Sequence, residues 1–419
     1  MATTSKNSPS APSEQRQIWW SNAILFVGIH IAACVGVYCH PLYSTPRQTV
    51  ALAVILWQVA CFSVTIGYHR LYSHRAFVAG VKTRAILAVL GTSAFQGSIK
   101  WWVLRHRLHH RYTDDPVHDP YSASRGLLWS HVGWIFFKQH YERINLIDKE
   151  DLDEDPVVRF QHKFYTPIAL TTAILFPTLV GTLWHDGMGA FIWAGLVARI
   201  AVWHCTFLVN SLAHWDGMQP YSDENTSRVN MVVALLTCGE GNHNFQHSFP
   251  QDYRSGPSLY DWDPSKWIIL GLHSVGLVTG LKQASAKDLS SARWRMHFKT
   301  HVASDSSPAA SGPSESEFPE MSIPDLRAYF KHTAEDRCVL LIDRMVIDAT
   351  LYLKEHPGGA ALLRKYAVDP TCVLGCDSGD YINASQARAT DAFYGGMNKH
   401  SQIARDKLRT LAIARLTRG

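Results

Sequence analysis

The chain has 419 residues, of which 47% are hydrophobic and 18% are charged, and it contains 22 histidines and 14 tryptophans. Its formal net charge of only +5 argues against a nucleic-acid-binding protein, and its eight scattered cysteines argue against a secreted disulfide scaffold. A low charged fraction with abundant tryptophan is typical of a membrane protein, because interfacial tryptophans anchor the spans at the headgroup level.

Four apolar runs follow a Ser-, Thr-, Pro- and Gln-rich start, which we expect to be a disordered tail over residues 1–17. Each run is long enough, or nearly so, to cross a bilayer core of roughly 30 Å. The runs are 18–38, 50–66, 166–183 and 188–212, and a weaker run at 85–95 is too short to span alone. The segment from Arg70 to Lys163 carries 14 Lys and Arg, which predicts that it and both termini are cytoplasmic.

Two histidines, His30 and His204, fall inside predicted spans. Ionisable residues in spans are rare and often functional, but hydrogen bonding between helices is the simpler interpretation here. Four more histidines fit no ligand spacing and are interpreted as ordinary polar residues: His118, His131, His140 and His162.

Eight further histidines stand where spans end or cytoplasmic segments begin. They are His69, His74, His106, His109, His110, His214, His243 and His247. Residues three and four apart share a helix face, so we expect His106, His109 and His110 to converge on one side. His243 and His247 share a face for the same reason. His69 and His74 are five apart, so their segment must bend or fray if both bind one centre.

Neutral imidazole is the commonest protein metal ligand and suits iron, zinc and copper. Any one of these histidines alone would more often be a structural residue. Eight of them on one face of the membrane are too many for a single ion but fit two.

The sequence around these histidines resembles the membrane acyl-CoA delta-9 desaturases, especially the fungal form, over residues 18–300. The resemblance rests on GYHRLYSH at 67–74, KWW at 100–102, RGLLWSHVGW at 125–134, GEG at 239–241 and FPQDYR at 249–254. It implies that the eight histidines hold two iron ions, which activate dioxygen so that a cis double bond forms in a saturated acyl chain. It also implies that Asn210 holds a metal-bound water, that Gln96 and Trp102 line the acyl tunnel, and that Lys138 lies near the CoA phosphates.

One position departs from the family pattern, because Gln246 stands where the last H-x-x-H-H motif has a histidine. Its carboxamide oxygen could bind iron, but less well than imidazole. A working centre with altered potential is our first expectation. A changed reaction such as lipid hydroxylation, or a non-catalytic haem membrane protein with a decayed metal site, are the alternatives.

The C-terminal part follows a Ser/Pro/Ala-rich linker at 302–317. Residues 318–419 read as mixed α/β, with a helix at 323–332, a strand at 338–342 and a final helix at 403–416. HPGG at 356–359 and the segment around His400 resemble the axial-ligand motifs of cytochrome b5, which makes His356 and His400 the expected haem ligands. Residues 369–388, with Cys372 and Cys376, look like an insertion that forms a surface loop, although a two-cysteine metal clip is conceivable.

The expected fold class is therefore mostly α: a four-span transmembrane domain with a cytoplasmic helical cap over residues 18–301, and a small α+β haem domain. The expected cofactors are two iron ions and haem b. The expected partners are long-chain acyl-CoA, O2, NADH-cytochrome b5 reductase and membrane lipid, with no nucleic acid. The resemblance implies a multi-pass protein of the endoplasmic reticulum membrane.

Overall fold

The computed structural model describes residues 17–301, 318–332, 337–353, 355–356, 358–374, 378–394 and 400–417. The tail predicted at 1–17, apart from Gln17, and the linker predicted at 302–317 lie outside these residues.

The N-terminal 285 residues that are described, 17–301, form helices joined by short connections. The helices are α1 (Trp20–Cys39), α2 (Arg47–Ser73), α3 (Val81–Thr92), α4 (Ile99–Arg111), α5 (Leu127–His131), α6 (Glu150–Glu154), α7 (Pro156–Lys163), α8 (Tyr165–Thr182), α9 (Gly187–Trp215), α10 (Met231–Leu236), α11 (His243–Ser248), α12 (Pro264–Ser274) and α13 (Ala286–His301). Short 3-10 turns occur at Leu42–Ser44, Ala123–Arg125, Gly133–Phe136 and Glu142–Leu146, and β1 (Val78–Ala79) pairs antiparallel with β2 (Val278–Thr279).

Four of these helices, α1, α2, α8 and α9, are long and apolar enough to cross a membrane, which confirms the four predicted spans. Their outward side chains are apolar: Ile24 is 67% exposed and Leu179 is 56% exposed. Such exposure would be costly in water and is natural against lipid. The helix α2 continues to Ser73, past its predicted end at residue 66, and so carries a histidine segment out of the apolar layer.

The hairpin of α1 and α2 and the hairpin of α8 and α9 are hydrogen-bonded to each other at the connection between α8 and α9. The Asp186 carboxylate accepts a hydrogen bond from Gly189 N at 3.2 Å, which caps α9. The same carboxylate accepts the Thr49 hydroxyl at 2.5 Å, and Trp184 Nε1 donates to Thr49 Oγ1 at 2.8 Å. Because Thr49 lies in the first turn of α2, these bonds fix the ends of three spans relative to one another.

Two spans are also joined halfway along their length. His30 Nε2 in α1 lies 3.1 Å from His204 Nε2 in α9, and His204 Nδ1 lies 2.9 Å from His131 Nε2. The predicted hydrogen bond between these spans is therefore present, and His131 extends it to α5.

The cap rests on a buried core at the end of α2. Tyr68, Ile99, Leu152 and Val158 have no exposed surface and come from four different helices. Arg107 of α4 donates to both carboxylate oxygens of Asp151, at 2.9 and 2.7 Å. This clamp fixes α4, which carries three of the predicted ligands.

The C-terminal unit contains helices and a four-stranded sheet. Its elements are β3 (Glu320–Met321), α14 (Ile323–His332), β4 (Val339–Ile342), β5 (Met345–Asp348), α15 (Ala360–Tyr366), α16 (Pro370–Leu374), α17 (Ser378–Tyr394), α18 (Gln402–Leu411) and β6 (Ala412–Leu416). The strand order is β3-β6-β5-β4, with β3 parallel to β6 and the other pairs antiparallel.

Two predictions for this unit were wrong. The final helix ends at Leu411, and residues 412–416 form β6, where Ala414 and Leu416 are buried in the centre of the sheet. The described part of residues 369–388 is not a surface loop, because Pro370–Leu374 forms α16 and residues 378–388 form the first part of α17. Val373 is fully buried and Ile382 is 1% exposed, so this segment contributes to the core. Cys376 lies outside the described residues, so the cysteine clip is not described.

Candidate metal centre

The first histidine segment lies on a π-helical stretch, Val64–Ser73, at the end of α2. In an α-helix, residues five apart point about 140° away from each other. The π-helix instead hydrogen-bonds five residues apart, and His74 N donates to His69 O at 3.1 Å. The predicted bend is thus a change of helix type, and it turns His69 and His74 to the same side.

The eight histidines form two groups of four in which one ring nitrogen of each member lies within 4.8 Å of those of the others. The first histidine group contains His69, His74, His106 and His110. The second histidine group contains His109, His214, His243 and His247. All eight predicted ligands are thus brought together.

The expectation that all three α4 histidines converge was correct only in part. His106 and His110 are four apart and join the first group, whereas His109 belongs to the second. Its direction differs from that of His110 by about 100°, since consecutive helical residues are that far apart. The helix α4 therefore lies between the two groups and supplies histidines to both.

The two groups are in contact with each other. The rings of His110 and His247 stack with their centroids 4.2 Å apart. Gln246, also on α11, reaches into the first group, where its Nε2 lies 2.8 Å from His74 Nε2 and 3.2 Å from His110 Nε2. Gln246 thus occupies the first histidine group even though its neighbours in sequence, which are His243 and His247, belong to the second.

Polar groups on the far side of the rings orient the imidazoles. His69 Nδ1 lies 3.2 Å from Glu240 Oε2, and His109 Nδ1 lies 2.8 Å from Asp119 Oδ1. Metal-binding histidines characteristically bond a carboxylate through the nitrogen that does not face the metal. His214 Nδ1 lies 2.9 Å from Thr226 Oγ1, and that hydroxyl donates to Asp114 Oδ1 at 2.6 Å.

Burial keeps the imidazoles neutral. It lowers the pKa of His74, His106 and His110 well below the usual value, and neighbouring histidines lower it further. The pKa values of His243 and His247 are lowered for the same reasons. His109 is the exception to the neutral form: burial lowers its pKa, but the carboxylates of Asp119 and Asp114 outweigh burial and the net pKa is raised. Neutral imidazole is the form that binds a metal ion.

The donor set fits two metal ions. His109 Nε2 and Gln246 Oε1 are buried and have no hydrogen-bond partner among the described residues. Leaving a buried polar atom unpaired costs about 1–3 kcal/mol, whereas one cation in each histidine group would give each of these atoms a partner. Rotation of the Gln246 carboxamide about its last bond would present Oε1 to the first histidine group.

The sequence interpretation missed the groups that support the ligands. Glu240 is 4% exposed, and it accepts both Nε and Nη2 of Arg70, at 3.2 and 3.0 Å. Burial raises the pKa of Glu240, but His69 and Arg70 lower it to about 2 overall. Glu240 lies three residues before His243 in the sequence, and this closeness to a predicted ligand could have indicated its role. Asp119 offered a weaker signal, as one of several acidic residues after α4.

Asp119→Asn is expected to weaken metal binding by 10–100-fold, because it removes the charge that orients and polarises His109. The measurement is metal retained per chain after dialysis against graded chelator concentrations. Glu142→Gln, an exposed carboxylate on the cap, is the matched control and should retain metal as the native chain does. Equal retention by both variants would contradict the orienting role.

A cavity of 530 Å³ lies beside the first histidine group. Its wall includes His69, His106, Glu240, Asn210 and, from deeper in the spans, Cys61 and Cys205. Two predicted substrate contacts, Gln96 and Trp102, are also on this wall. Trp102 stacks on the His106 ring with centroids 4.9 Å apart.

Lys138, the third predicted substrate contact, is exposed and is not on the cavity wall. The backbone N–H of Lys138 donates to Gln17 O at 2.9 Å. Gln17 lies two residues before Trp19, and Trp19 is on the cavity wall, so Lys138 is bonded to a segment that lines the cavity. Lys163 is a cation on the wall that the sequence interpretation did not select.

The C-terminal unit presents His356 and His400. His356 Nδ1 lies 3.3 Å from Gly359 O, and His400 Nδ1 lies 3.0 Å from Phe393 O, so each imidazole would bind iron through Nε2. Burial and the nearby His400 lower the pKa of His356 to about 4. A Cβ on Gly358 would lie 2.9 Å from the His356 ring, and Gly359 has φ +84, so the turn beside the ring requires small residues. This cradle fits a bis-histidine haem.

Two protein-family models match separate parts of the chain. The model of the family described as fatty acid desaturase matches residues 47–254, and that of the cytochrome b5-like heme/steroid binding domain matches residues 325–370, which include His356 but not His400. "Probable acyl-CoA desaturase" of Schizosaccharomyces pombe is 37% identical over 97% of this chain and 81% of its own length. "Acyl-CoA desaturase 1" of Saccharomyces cerevisiae is 35% identical over 94% of this chain and 73% of its own length. "Stearoyl-CoA desaturase 5" of Homo sapiens is 34% identical over 66% of this chain and 84% of its own length.

Proposed function

The chain belongs to the fatty acid desaturase family, and from this premise we propose that it is an acyl-CoA delta-9 desaturase that introduces a cis double bond into saturated long-chain acyl-CoA. It is an O2-dependent oxidoreductase of the membrane with four spans and a cytochrome b5-like domain. The observation that carries the proposal is the pair of touching four-histidine groups beside an apolar cavity. Two bound iron ions would supply the activation of O2.

Each histidine group would hold one iron ion. His69, His74, His106 and His110 would bind the first ion, with Gln246 as a further ligand through Oε1. His109, His214, His243 and His247 would bind the second ion, with Asn210 nearby to hold a water. The contact between His110 and His247 supports a shared centre, because their rings stack with centroids 4.2 Å apart.

Gln246 makes the two iron positions different. The first position would have an amide oxygen where its relatives' motif has an imidazole. A neutral amide oxygen is a harder and weaker donor than imidazole, so we expect the reduction potential at this position to differ from that of an all-histidine site. The intact histidine groups support a working centre in preference to the decayed one.

The cavity would hold the acyl chain with the reacting carbons next to the first histidine group. Gln96 is positioned by its hydrogen bond to Thr206 Oγ1 at 2.8 Å, and Trp102 covers the His106 ring. These residues would shape the passage and exclude water from the centre. Lys138 would attract the CoA phosphates from outside the cavity, as a point charge for an anionic group.

The haem held by His356 and His400 would supply electrons. Reduction of O2 to water takes four electrons, of which the substrate gives two. The other two would come through the haem domain, with NADH-cytochrome b5 reductase as the upstream donor. A domain on a flexible tether is present at an effective concentration of about millimolar, which removes the need for a bimolecular encounter.

The proposed organisation is a membrane domain at 18–301, a linker at 302–317 and a haem domain at 318–419. The basic segment between α2 and α8 supports a cytoplasmic active site and cytoplasmic termini. We place the protein in the endoplasmic reticulum membrane on the basis of its family.

Expression in cells that lack their own desaturase tests the proposed function directly. We expect the native chain to restore monounsaturated fatty acids, measured by gas chromatography of total lipids. The Gln246→His companion should also be active, with a changed reduction potential of the non-haem iron. Hydroxylated product from the native chain, or no unsaturated product from either version, would contradict the proposal.

A further inference from the structure

The haem-binding residues lie against the cap of the membrane domain. Two residues after His400, the backbone N–H of Gln402 donates to both oxygens of Glu224, at 2.6 and 2.8 Å. Gln402 begins the ten-residue helix α18, so the carboxylate also meets the positive end of a helix dipole. This contact joins positions 178 residues apart in sequence.

An apolar contact lies directly beside this polar one. Ile403 packs into a cluster whose buried members are Tyr221, Phe245 and Ala292. Phe245 is fully buried on α11, and α11 is the helix that carries His243 and His247. The segment after one axial haem ligand therefore packs against a cluster that includes a residue of the helix that carries two members of the second histidine group.

The other axial ligand has an equivalent contact. Gly359, three residues after His356, approaches the Asp148 carboxylate so closely that a Cβ would collide with it. Asp148 Oδ2 is held by Arg75 Nη2 at 2.9 Å, and its carbonyl accepts Arg107 Nη1 at 2.7 Å. Arg75 follows His74 directly, and Arg107 lies between His106 and His110.

The segments that follow His356 and His400 thus both lie against the membrane domain, next to residues that contact or carry members of the histidine groups. We propose that Glu224, Asp148 and the cluster of Tyr221 and Phe245 form a docking surface for the haem domain, through which electrons enter the metal centre at the α4 and α11 helices. This inference rests on the proposed function and adds the place and orientation of electron delivery.

Each docking event would move one electron. In each transfer the haem iron would be oxidised from Fe(II) to Fe(III), and one ion of the centre would be reduced from Fe(III) to Fe(II). Two such transfers provide the two electrons that the substrate does not supply. When the haem domain is docked, the side next to His356 and His400 faces the membrane domain, and an external reductase can reach only the opposite side. We therefore expect haem reduction and electron delivery to alternate, with the domain leaving the surface between them.

Hydrogen–deuterium exchange of the full chain in detergent tests the docking without relying on turnover. Glu224→Ala should raise the exchange rate in the first turn of α18 by about tenfold, the scale of a lost charge-assisted hydrogen bond. Ile403→Ala should raise it through loss of the apolar contact. Glu154→Ala, an exposed cap residue away from the surface, is the matched control and should leave the rate unchanged.

A second measurement separates docking from the chemistry at the metal centre. After anaerobic reduction, mixing with O2 and acyl-CoA should oxidise the haem about tenfold more slowly in Glu224→Ala than in the native chain. A single turnover by chemically reduced protein should remain native in this variant. Native exchange and native haem oxidation in both Glu224→Ala and Ile403→Ala would overturn the docking surface. Failure of the native chain to desaturate, with exchange protection intact, would instead overturn the proposed function.

Discussion

His106→Ala is expected to abolish desaturation and to lower the non-haem iron content from about two ions per chain to about one. His106 contacts the other members of the first histidine group, and its Nε2 lies 2.9 Å from His74 Nε2. Loss of a residue that merely orients a ligand costs 10–100-fold, so loss of the ligand itself should reduce activity by roughly 100-fold or more. Iron analysis and product analysis on the same purified sample check both parts.

The matched control for this variant is His140→Ala, an exposed histidine of the cap that belongs to neither group. It should keep the native iron content and activity. The haem absorbance of His106→Ala should also remain native, since the haem ligands lie in the other domain. Native iron content and activity in His106→Ala would contradict the assignment of the first histidine group.

His400→Ala is expected to lose bound haem and with it steady-state desaturation. His400 is held by stacking on Phe393, with ring centroids 4.1 Å apart, and by the bond from its Nδ1 to the Phe393 carbonyl. Without its tethered donor, which is present at about millimolar effective concentration, the purified protein should turn over roughly 100-fold more slowly. Haem absorbance and NADH-driven product formation with added reductase are the measurements.

A chemically reduced sample separates loss of electron supply from loss of folding in this variant. Two reduced iron ions would supply the two electrons that the substrate does not, so dithionite-reduced His400→Ala should form the native amount of product in a single cycle. If this single turnover were also lost while iron content stayed native, the haem domain would have a role beyond electron supply. Unchanged steady-state activity would show that His400 is not needed for electron delivery.

The spans were predictable from sequence because length and apolarity alone define them. The end of α2 was not, because the choice between α- and π-helix depends on packing around Tyr68 and on hydrogen bonds such as that from Ser73 Oγ to Tyr68 O. The sequence does show that His69 and His74 are badly spaced for an α-helix. It does not show which deformation resolves the conflict.

The ligand types were predictable, but their division into two groups was not. Helical spacing placed His106, His109 and His110 near one another, and only the position of α11 beside α4 shows that His109 joins His243 and His247. Asp119 and Glu240 were missed because carboxylates that orient a ligand have no fixed spacing from it. The docking contacts of Glu224 and Gln402 join distant segments and leave no local pattern in the sequence.

The C-terminal unit shows the same limit in its secondary structure. Residues 412–416 continue a helical pattern of small and apolar residues, yet their pairing with β3 and β5 places them in the sheet. The segment 369–388 departs from the family pattern in sequence, and nothing local in it shows that its side chains reach the core. In three dimensions Val373 and Ile382 fill the space beneath α14, beside Leu326.

The π-helical stretch at the end of α2 has a consequence for how such a centre can arise. A π turn is an α turn with one extra residue, so it can absorb a single inserted codon without separating the side chains on either side of it. In this chain the π-helical bonds keep His69 and His74 on one face although they are five residues apart. Deletion of one residue between His69 and His74 would return the pair to the four-residue spacing at which an ordinary α-helix places two side chains on one face.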